Sequence, residues 1–402
     1  MKKYNYEIIK YNSSYYEEFK KLSLSFPEFQ PTNHIYHTKE MFENLYKGFG
    51  HTSSSSLLII NKQNQVIAFR GAIPLLYQIP LSGNKYDIIK AIGMSGWIMK
   101  KDASLPKGLG LKLHYKLKQS VPLVVAACFG NDISLQVYKM DKFNIINNLN
   151  RYVLPLNKED YKKIINPSYN QASLDQWMNK INKNLKNIIP AKEKNFSPKD
   201  LEKLWIKISH QIKLFGVYKN LEYWNWRYLN CPYNKYIFFG DLENLGVVIV
   251  RIENIFKFKN KSNQEIATED NIHNKKILRV IEILPYRKKL TNFYDNDDFY
   301  IFFLSILKWA QEKNCVAADF QFSSLLYNNL LKKSGFLMQT PSYEPSECSL
   351  AGLFQPFKLI VDPINVAWSF TSEKKYNIKN INTYFTKTDV AGDYSKFWPK
   401  II

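Results

Sequence analysis

The sequence predicts an α/β (α+β) fold arranged as two successive units. Three observations carry the prediction. Short apolar runs rich in Val, Ile, Phe and Tyr alternate along the chain with amphipathic helical patterns. Residues 88–143 read in turn as strand, glycine loop, helix, strand and short helix. The second half then repeats the order of the first. At 402 residues the chain suits two domains, since one domain takes about 100–200 residues. An apolar share of 45% is ample for two cores.

Tyr6 to Tyr11 is the first expected strand. Ser13-Ser14 opens a helix, with Glu17 set as in a capping box. Pro27 and Pro31 begin a loop that includes His34-Ile35-Tyr36-His37. Thr38 is placed to cap a second helix, which ends near Gly48 and Gly50. Leu57 to Ile60 and Val66 to Ile79 form a hairpin around Asn61 to Gln65. Ile88 to Met99 is a strand, and Asp102 to Gly110 a loop carrying Pro106, Gly108 and Gly110. Leu109, Leu113 and Leu117 recur every four residues with lysines opposite, which marks a helix. Leu123 to Phe129 is a short strand, apolar enough to be buried.

The passage from loop to helix has the physical form of a phosphate cradle. Glycines let an anion approach the backbone closely, and a helix start offers unpaired N–H groups and the positive end of a dipole. Lys107 adds a cation beside Gly108-Leu109-Gly110-Leu111. By themselves the two glycines better suit a tightly packed helix start. A dinucleotide fingerprint is excluded because Leu113 stands where the third glycine belongs, and a Walker A loop because no Gly-Lys-Ser/Thr follows.

The whole stretch resembles the GNAT superfamily of acyl-CoA-dependent N-acyltransferases. There a central strand leads into an Arg/Gln-x-x-Gly-x-Gly/Ala loop, a helix, a strand ending near an Asn, and a helix carrying a Tyr. Leu105-Pro106-Lys107-Gly108-Leu109-Gly110 matches the loop, with Leu105 where the family has Arg or Gln. Asn131 and Tyr138 match the Asn and the Tyr. Lys142-Phe143 takes the place of a closing Gly-Phe. The resemblance implies a mixed twisted sheet flanked by helices in each unit and acetyl-CoA or a related acyl-CoA as co-substrate. Trp97, Ile98 and Met99 on the central strand, Leu105, Lys107 to Leu111 and Asn131 would hold it. Tyr138 would protonate the leaving sulfur.

In the second half, Ser197 caps a helix from Pro198 to Lys213, and Leu221 to Leu229 is a short helix. Tyr236 to Phe239 and Gly246 to Ile252 form a hairpin, Ile277 to Leu284 a strand and Phe299 to Lys313 a helix. Cys315 to Phe320 and Ser324 to Lys333 follow as strand and helix, closed by Gly335-Phe336. The segment from Pro285 to Leu290 has no glycine where the loop should be. The expected division is therefore a GNAT-like domain at 1–155 with the acyl-CoA loop and a degenerate copy at 196–402 that binds the acceptor. Residues 156–195 form a linker with a helix. Phe256 to Lys275 is a polar insertion, and Phe357 to Val361 and Ile381 to Phe385 are strand-like pieces of the tail.

Within the second unit, Tyr223-Trp224-Asn225-Trp226-Arg227-Tyr228, then Pro232 and Tyr236, resembles a signature of GNAT-like proteins found with surface-polysaccharide genes. Aromatic rings suit the C–H face of a sugar, and an arginine suits a phosphate or carboxylate. Tyr223, Trp226 and Arg227 are the candidate acceptor residues. Core packing of the same rings is the alternative.

The net charge is 56 − 35 = +21. Its lysines are scattered without a basic block, so nucleic acid is not the expected partner. Cys128, Cys231, Cys315 and Cys348 form no Cys-x-x-Cys pair, and His34 and His37 come without a carboxylate pattern, so no metal is expected. No signal core and no run of about eighteen apolar residues is present, and a cytoplasmic location is expected. The central strand carries no Glu or Asp, which leaves the general base unassigned. Asp102 and Asp132 lie nearby, and His114 on the helix is expected to be structural. The leading function is N-acetylation of an amino sugar, nucleotide- or lipid-linked, in cell-surface glycan synthesis. The alternatives are a Fem-type aminoacyltransferase using aminoacyl-tRNA and a binding protein that has lost acyl transfer.

Overall fold

The computed structural model describes residues 6–26, 36, 38–48, 53–81, 85–102, 105–129, 133–147, 149–163, 171–232, 234–254, 275–286, 297–339, 365–371, 376, 382–386 and 389. In chain order the first half runs β1 (Tyr6–Lys10), α1 (Tyr16–Leu24), α2 (Lys39–Lys47), β2 (Leu57–Asn61), β3 (Val66–Pro80), β4 (Tyr86–Met99), α3 (Leu109–Lys118), β5 (Leu123–Phe129), α4 (Ile133–Met140), β6 (Asn144–Ile146) and β7 (Asn150–Pro155). The connecting region holds α5 (Lys158–Tyr161) and α6 (Gln171–Leu185). The second half runs α7 (Pro198–Ile212), β8 (Leu214–Val217) and α8 (Leu221–Trp224), which continues into a π-helical turn at Asn225–Leu229. Then come β9 (Ile237–Asp241), β10 (Gly246–Asn254), β11 (Lys276–Pro285), α9 (Asp297–Glu312), β12 (Cys315–Phe322), α10 (Asn328–Ser334), β13 (Leu337–Gln339), β14 (Asn365–Phe370) and β15 (Asn382–Tyr384).

Most expected elements are present, with different caps in two places. Asn12, not Ser13, opens the first helical segment. Its side chain accepts from the Ser14 N–H at 3.0 Å and starts a 3₁₀ turn ahead of α1. Thr38 precedes α2 without a side-chain bond. Ser197 caps α7 as expected, accepting from the Asp200 N–H at 3.2 Å. The two halves close alike. Lys142 (φ 57°) and Gly335 (φ 102°) are both left-handed. Phe143 N–H donates to the Tyr138 carbonyl, and Phe336 N–H to that of Leu331, each five residues back.

The strands form two mixed sheets flanked by helices, as expected for two tandem units. The first has nine strands in the order β1-β2-β3-β4-β5-β14-β6, with β8 on β3 and β15 on β8. The second has six, in the order β13-β7-β12-β11-β10-β9. The sheets are not contiguous in sequence. β7, from the first half, lies between β12 and β13 in the second sheet. β14, from the tail, lies between β5 and β6 in the first. Each sheet is thus completed by a strand of the other half, so a cut at residue 155 would leave the first sheet without β14. The helix α6 is also more than a tether. It buries Leu174, Trp177, Met178, Ile181 and Leu185, and Trp177 Nε1 donates to the Gly335 carbonyl at 2.6 Å.

Expected segments at Pro27–His34, His37, residues 256–274, Arg287–Leu290 and Phe357–Val361 lie outside the described residues.

Candidate acyl-CoA site

β4 and β5 run parallel and pair at Ala91–Leu123, Ile92–Val124, Gly93–Val125 and Met94–Ala126. Past Met94 they are no longer paired, although β4 continues to Met99 and β5 to Phe129. The two strands open into a wedge. A bulge on β4 marks the place: Gly71 faces Ser95 while Arg70 faces Trp97, which leaves Gly96 as the extra residue. Gly96 has φ +51°, and a Cβ there would sit 2.3 Å from the Tyr36 hydroxyl, so a side chain would be strained and would displace Tyr36. Across the bulge, a Cβ on Gly71 would meet the Tyr46 ring at 2.4 Å. Ser95, Gly96 and Trp97 stay partly exposed. Their backbone groups on the β5 side have no ladder partner, which is what a strand-like, amide-bearing ligand arm requires.

At the mouth of the wedge stands α3. Gly108 is its N-cap residue, left-handed at φ 77°, with no side chain closing the first turn and no acidic residue in it. A Cβ on Gly108 would meet nothing within 4 Å. Backbone conformation, not crowding, calls for glycine here, and the space above it is open. Gly110 is there for packing: its Cβ would come 3.2 Å from Trp97 Nε1 and 3.5 Å from Met99 Sδ. Lys107 is exposed beside the turn, and Leu111 N–H already bonds the Gly108 carbonyl at 3.0 Å. Leu105, where the family places a phosphate-binding side chain, instead packs on the core formed by Leu109, Leu113 and Leu117. Burying each of those leucines contributes about 1.5–3 kcal/mol, which fixes the helix start against the sheet.

Tyr138 projects from α4 to this end of the wedge. It is buried against Phe143, with ring centroids 4.9 Å apart, and beside His114 at 5.7 Å. Its hydroxyl accepts a bond of 2.7 Å from Arg70 on β3. Arg70 is 2% exposed and lies over Trp97 at 4.7 Å. Sequence reasoning missed Arg70. The signal was a lone charge in the apolar run Val66 to Ile73. His114 stacks on Trp97 at 5.5 Å and bonds Asp141 at 3.1 Å. Burial, then the nearby Arg70, push its imidazole down to about 4, which keeps it neutral near pH 7. Asp102 is exposed, and Asn131, Asp132, His34 and His37 lie outside the described residues. The structure brings together Trp97, Ile98, Met99, Leu105, Lys107, Gly108, Leu109, Gly110, Leu111 and Tyr138.

Tyr223, Trp226 and Arg227 lie apart from that group, at the junction of the halves. All three are buried. Trp226 Nε1 donates to the Asn44 carbonyl of α2 at 2.8 Å, and the Arg227 guanidinium lies 5.0 Å from the Trp226 ring. Tyr223 donates to Asp389 at 3.1 Å. Asp389 belongs to a closed polar cluster with Lys219 and Glu282. Lys219 pairs with Asp389 at 2.9 Å and also with Glu282. Glu282 accepts in addition from Tyr228, Tyr384 and Thr386. Burial raises the Asp389 carboxyl, with Lys219 opposing the rise. A hollow of about 700 Å³ opens beside this region, lined by Tyr228, Pro232 and Tyr236 of the aromatic signature with Phe196, Phe238 and Lys194. Tyr223, Trp226 and Arg227 do not line it.

The arrangement of strands recurs in solved structures. N-myristoyltransferase from Saccharomyces cerevisiae, with bound myristoyl-CoA, superposes with a TM-score of 0.51 at 10% identity, over 92% of this chain and 84% of that one. The chain shares the overall fold of that acyltransferase. A GCN5-related N-acetyltransferase from Anabaena variabilis gives a TM-score of 0.50 at 11% identity, over 92% of this chain and 73% of that one. No protein-family model matches the sequence, and no curated protein does. Among the described residues no helix is long and apolar enough to cross a membrane, and no group of three His, Cys, Asp or Glu is placed to hold a metal ion.

Proposed function

We propose that this protein is an acyl-CoA-dependent N-acyltransferase. The observation that carries the reading is the wedge between β4 and β5, held open by a glycine bulge and ending at an uncapped, acid-free helix start. The N–H groups of Gly108 and Gly110, Lys107 and, in the family's order, Asn131 hold the diphosphate end, with Leu109 and Leu111 shaping the turn. The free edge of Trp97, Ile98 and Met99 holds the amide-rich arm. A neutral amine attacks the thioester carbonyl, the C–N bond forms, and the C–S bond breaks. Tyr138 gives its proton to the departing sulfur, and the proton lost by the amine restores it through solvent. Positioning and this one proton account for the chemistry, since a thioester is already an activated acyl group.

In its finer form the reading assigns acetyl as the acyl group and an amino sugar of cell-surface glycan synthesis as the acceptor. The hollow beside the junction supports it: Tyr228, Pro232 and Tyr236 of the aromatic signature line it together with Lys194, and Tyr223, Trp226 and Arg227 pack behind them. The test is free-thiol release from acetyl-CoA by the full chain with a panel of amino sugars, free and nucleotide-linked. Release that depends on the amine is expected, and Tyr138→Phe should lower kcat by about 100-fold while acetyl-CoA affinity falls by no more than about fivefold. Binding of acetyl-CoA without transfer to any amino sugar would overturn the acceptor. Failure to bind any acyl-CoA would overturn the whole reading.

A further inference from the structure

A buried guanidinium is costly. Taking such an ion out of water costs several kcal/mol unless it is paired. Arg70 is 2% exposed, and its Nε is buried with no hydrogen-bond partner. Its described contacts are the Tyr138 hydroxyl at 2.7 Å, the Met94 sulfur at 3.3 Å and the face of Trp97. Among the described residues no carboxylate pairs with it. Packing alone is a poor reason for a cation in this place, since Ala68 and Ala72, its neighbours along the same face of β3, are apolar. Such sites are where function keeps what stability would discard.

The chemistry of the contact has a direction. A guanidinium has five N–H donors and no acceptor. Tyr138 must therefore accept from Arg70, and its own proton must point to a different atom. We propose that Arg70 is a positioning residue that fixes Tyr138 as a proton donor aimed at the sulfur of the acyl donor. The inference rests on the acyl-CoA reading above. When the C–S bond breaks, its electron pair stays on sulfur and takes the Tyr138 proton. The negative charge then on the phenol oxygen faces the guanidinium until the proton released by the acylated amine replaces the one given up. Nothing is oxidised or reduced, and the net products are an amide and a free thiol. Arg70, on β3 opposite the bulge, thus belongs to the reaction centre although it does not touch the acyl donor.

The test needs no acceptor. Affinities for CoA and for desulfo-CoA, which lacks the sulfur, are measured by calorimetry on the full chain. A preference for CoA of about fivefold is expected, the size of one net hydrogen bond. Tyr138→Phe and Arg70→Met should each abolish the preference, and the double variant should lose no more than either. Arg70→Lys, still a donor-only cation, should keep part of it. If Arg70→Met does not fold, Arg70→Gln is read in its place with the same expected loss, because an amide can also accept and no longer sets the direction. A folded Arg70 variant without the cation that keeps the full preference would overturn the proposal, as would a wild-type protein that binds both compounds equally. A wild-type protein that binds neither would instead overturn the acyl-CoA reading.

Discussion

The two sheets carry the same wedge and fill it differently. In the first, β4 and β5 part after Met94 and the bulge falls two residues on, at Gly96. In the second, β11 and β12 part after Arg279 and the bulge falls two residues on, at Ile281. The next residue is Trp97 in one and Glu282 in the other. The first wedge has a glycine at its bulge and an open helix start beyond it. The second is occupied by the chain itself: Thr386 bridges to Phe322 at the end of β12 and bonds Glu282 on β11. Ser323 and Phe385 exchange two further bonds there. A shared backbone geometry therefore does not by itself make a cofactor site. What sets the first wedge apart is that, among the described residues, no other stretch of backbone enters its gap.

The largest expected effect concerns the filled wedge. Lys219 is wholly buried with Glu282 and Asp389 around it. Lys219→Met would leave two carboxylates buried without their cation, and removing one member of such a cluster costs about 3–5 kcal/mol. Urea unfolding should show a loss of that order. A loss under about 1 kcal/mol would mean that the tail is not what fills the second wedge.

A second test belongs to the open wedge and runs through pH. Unfolded His114 takes up its proton near 6.5, and the folded chain holds it off until about 4. Between those values the unfolded state binds more protons, so stability falls as pH drops through the window. The full loss from this group is about 3 kcal/mol. His114→Gln keeps a donor for Asp141 and cannot titrate, so its stability between pH 6.5 and 4 should fall less than that of the wild type. Parallel curves would show that His114 is protonated in the fold.

The smallest effect compares the two closing turns. Gly335 takes its left-handed conformation freely, whereas Lys142 carries a side chain at φ 57°. Lys142→Gly should raise stability by up to about 1 kcal/mol, read as a small rise in Tm. No rise would mean that the Lys142 side chain makes compensating contacts.

Much of this comparison is legible in the sequence, and the reasons for the rest are physical. Periodicity and glycines fix β4, α3, β5 and α4 because these are local signals. The exchange of β7 and β14 is not local. Asn365–Phe370 pairs with residues some two hundred positions away, and no spacing rule announces that. The tail as a plug is hidden for the same reason. Arg70, the single charge in β3, leaves a fainter trace, as does Glu282, which shares the otherwise apolar β11 with Lys276 and Arg279. Such a charge states that something polar is buried but not what it meets. Tyr223, Trp226 and Arg227 illustrate the opposite limit, since an aromatic cluster reads alike whether it binds a sugar or joins two halves of a core.

The central claim is that the first wedge, and not the second, takes an acyl-CoA. Calorimetric titration of the full chain with acetyl-CoA tests it most directly, beside the Gly108→Glu variant. Gly108 faces open space, so the new side chain can be accommodated, with some strain at φ 77°, while its carboxylate stands where the diphosphate must sit. The account predicts one molecule bound per chain by the wild type and none by the folded variant. Two molecules per chain, or undiminished binding by Gly108→Glu, would contradict it.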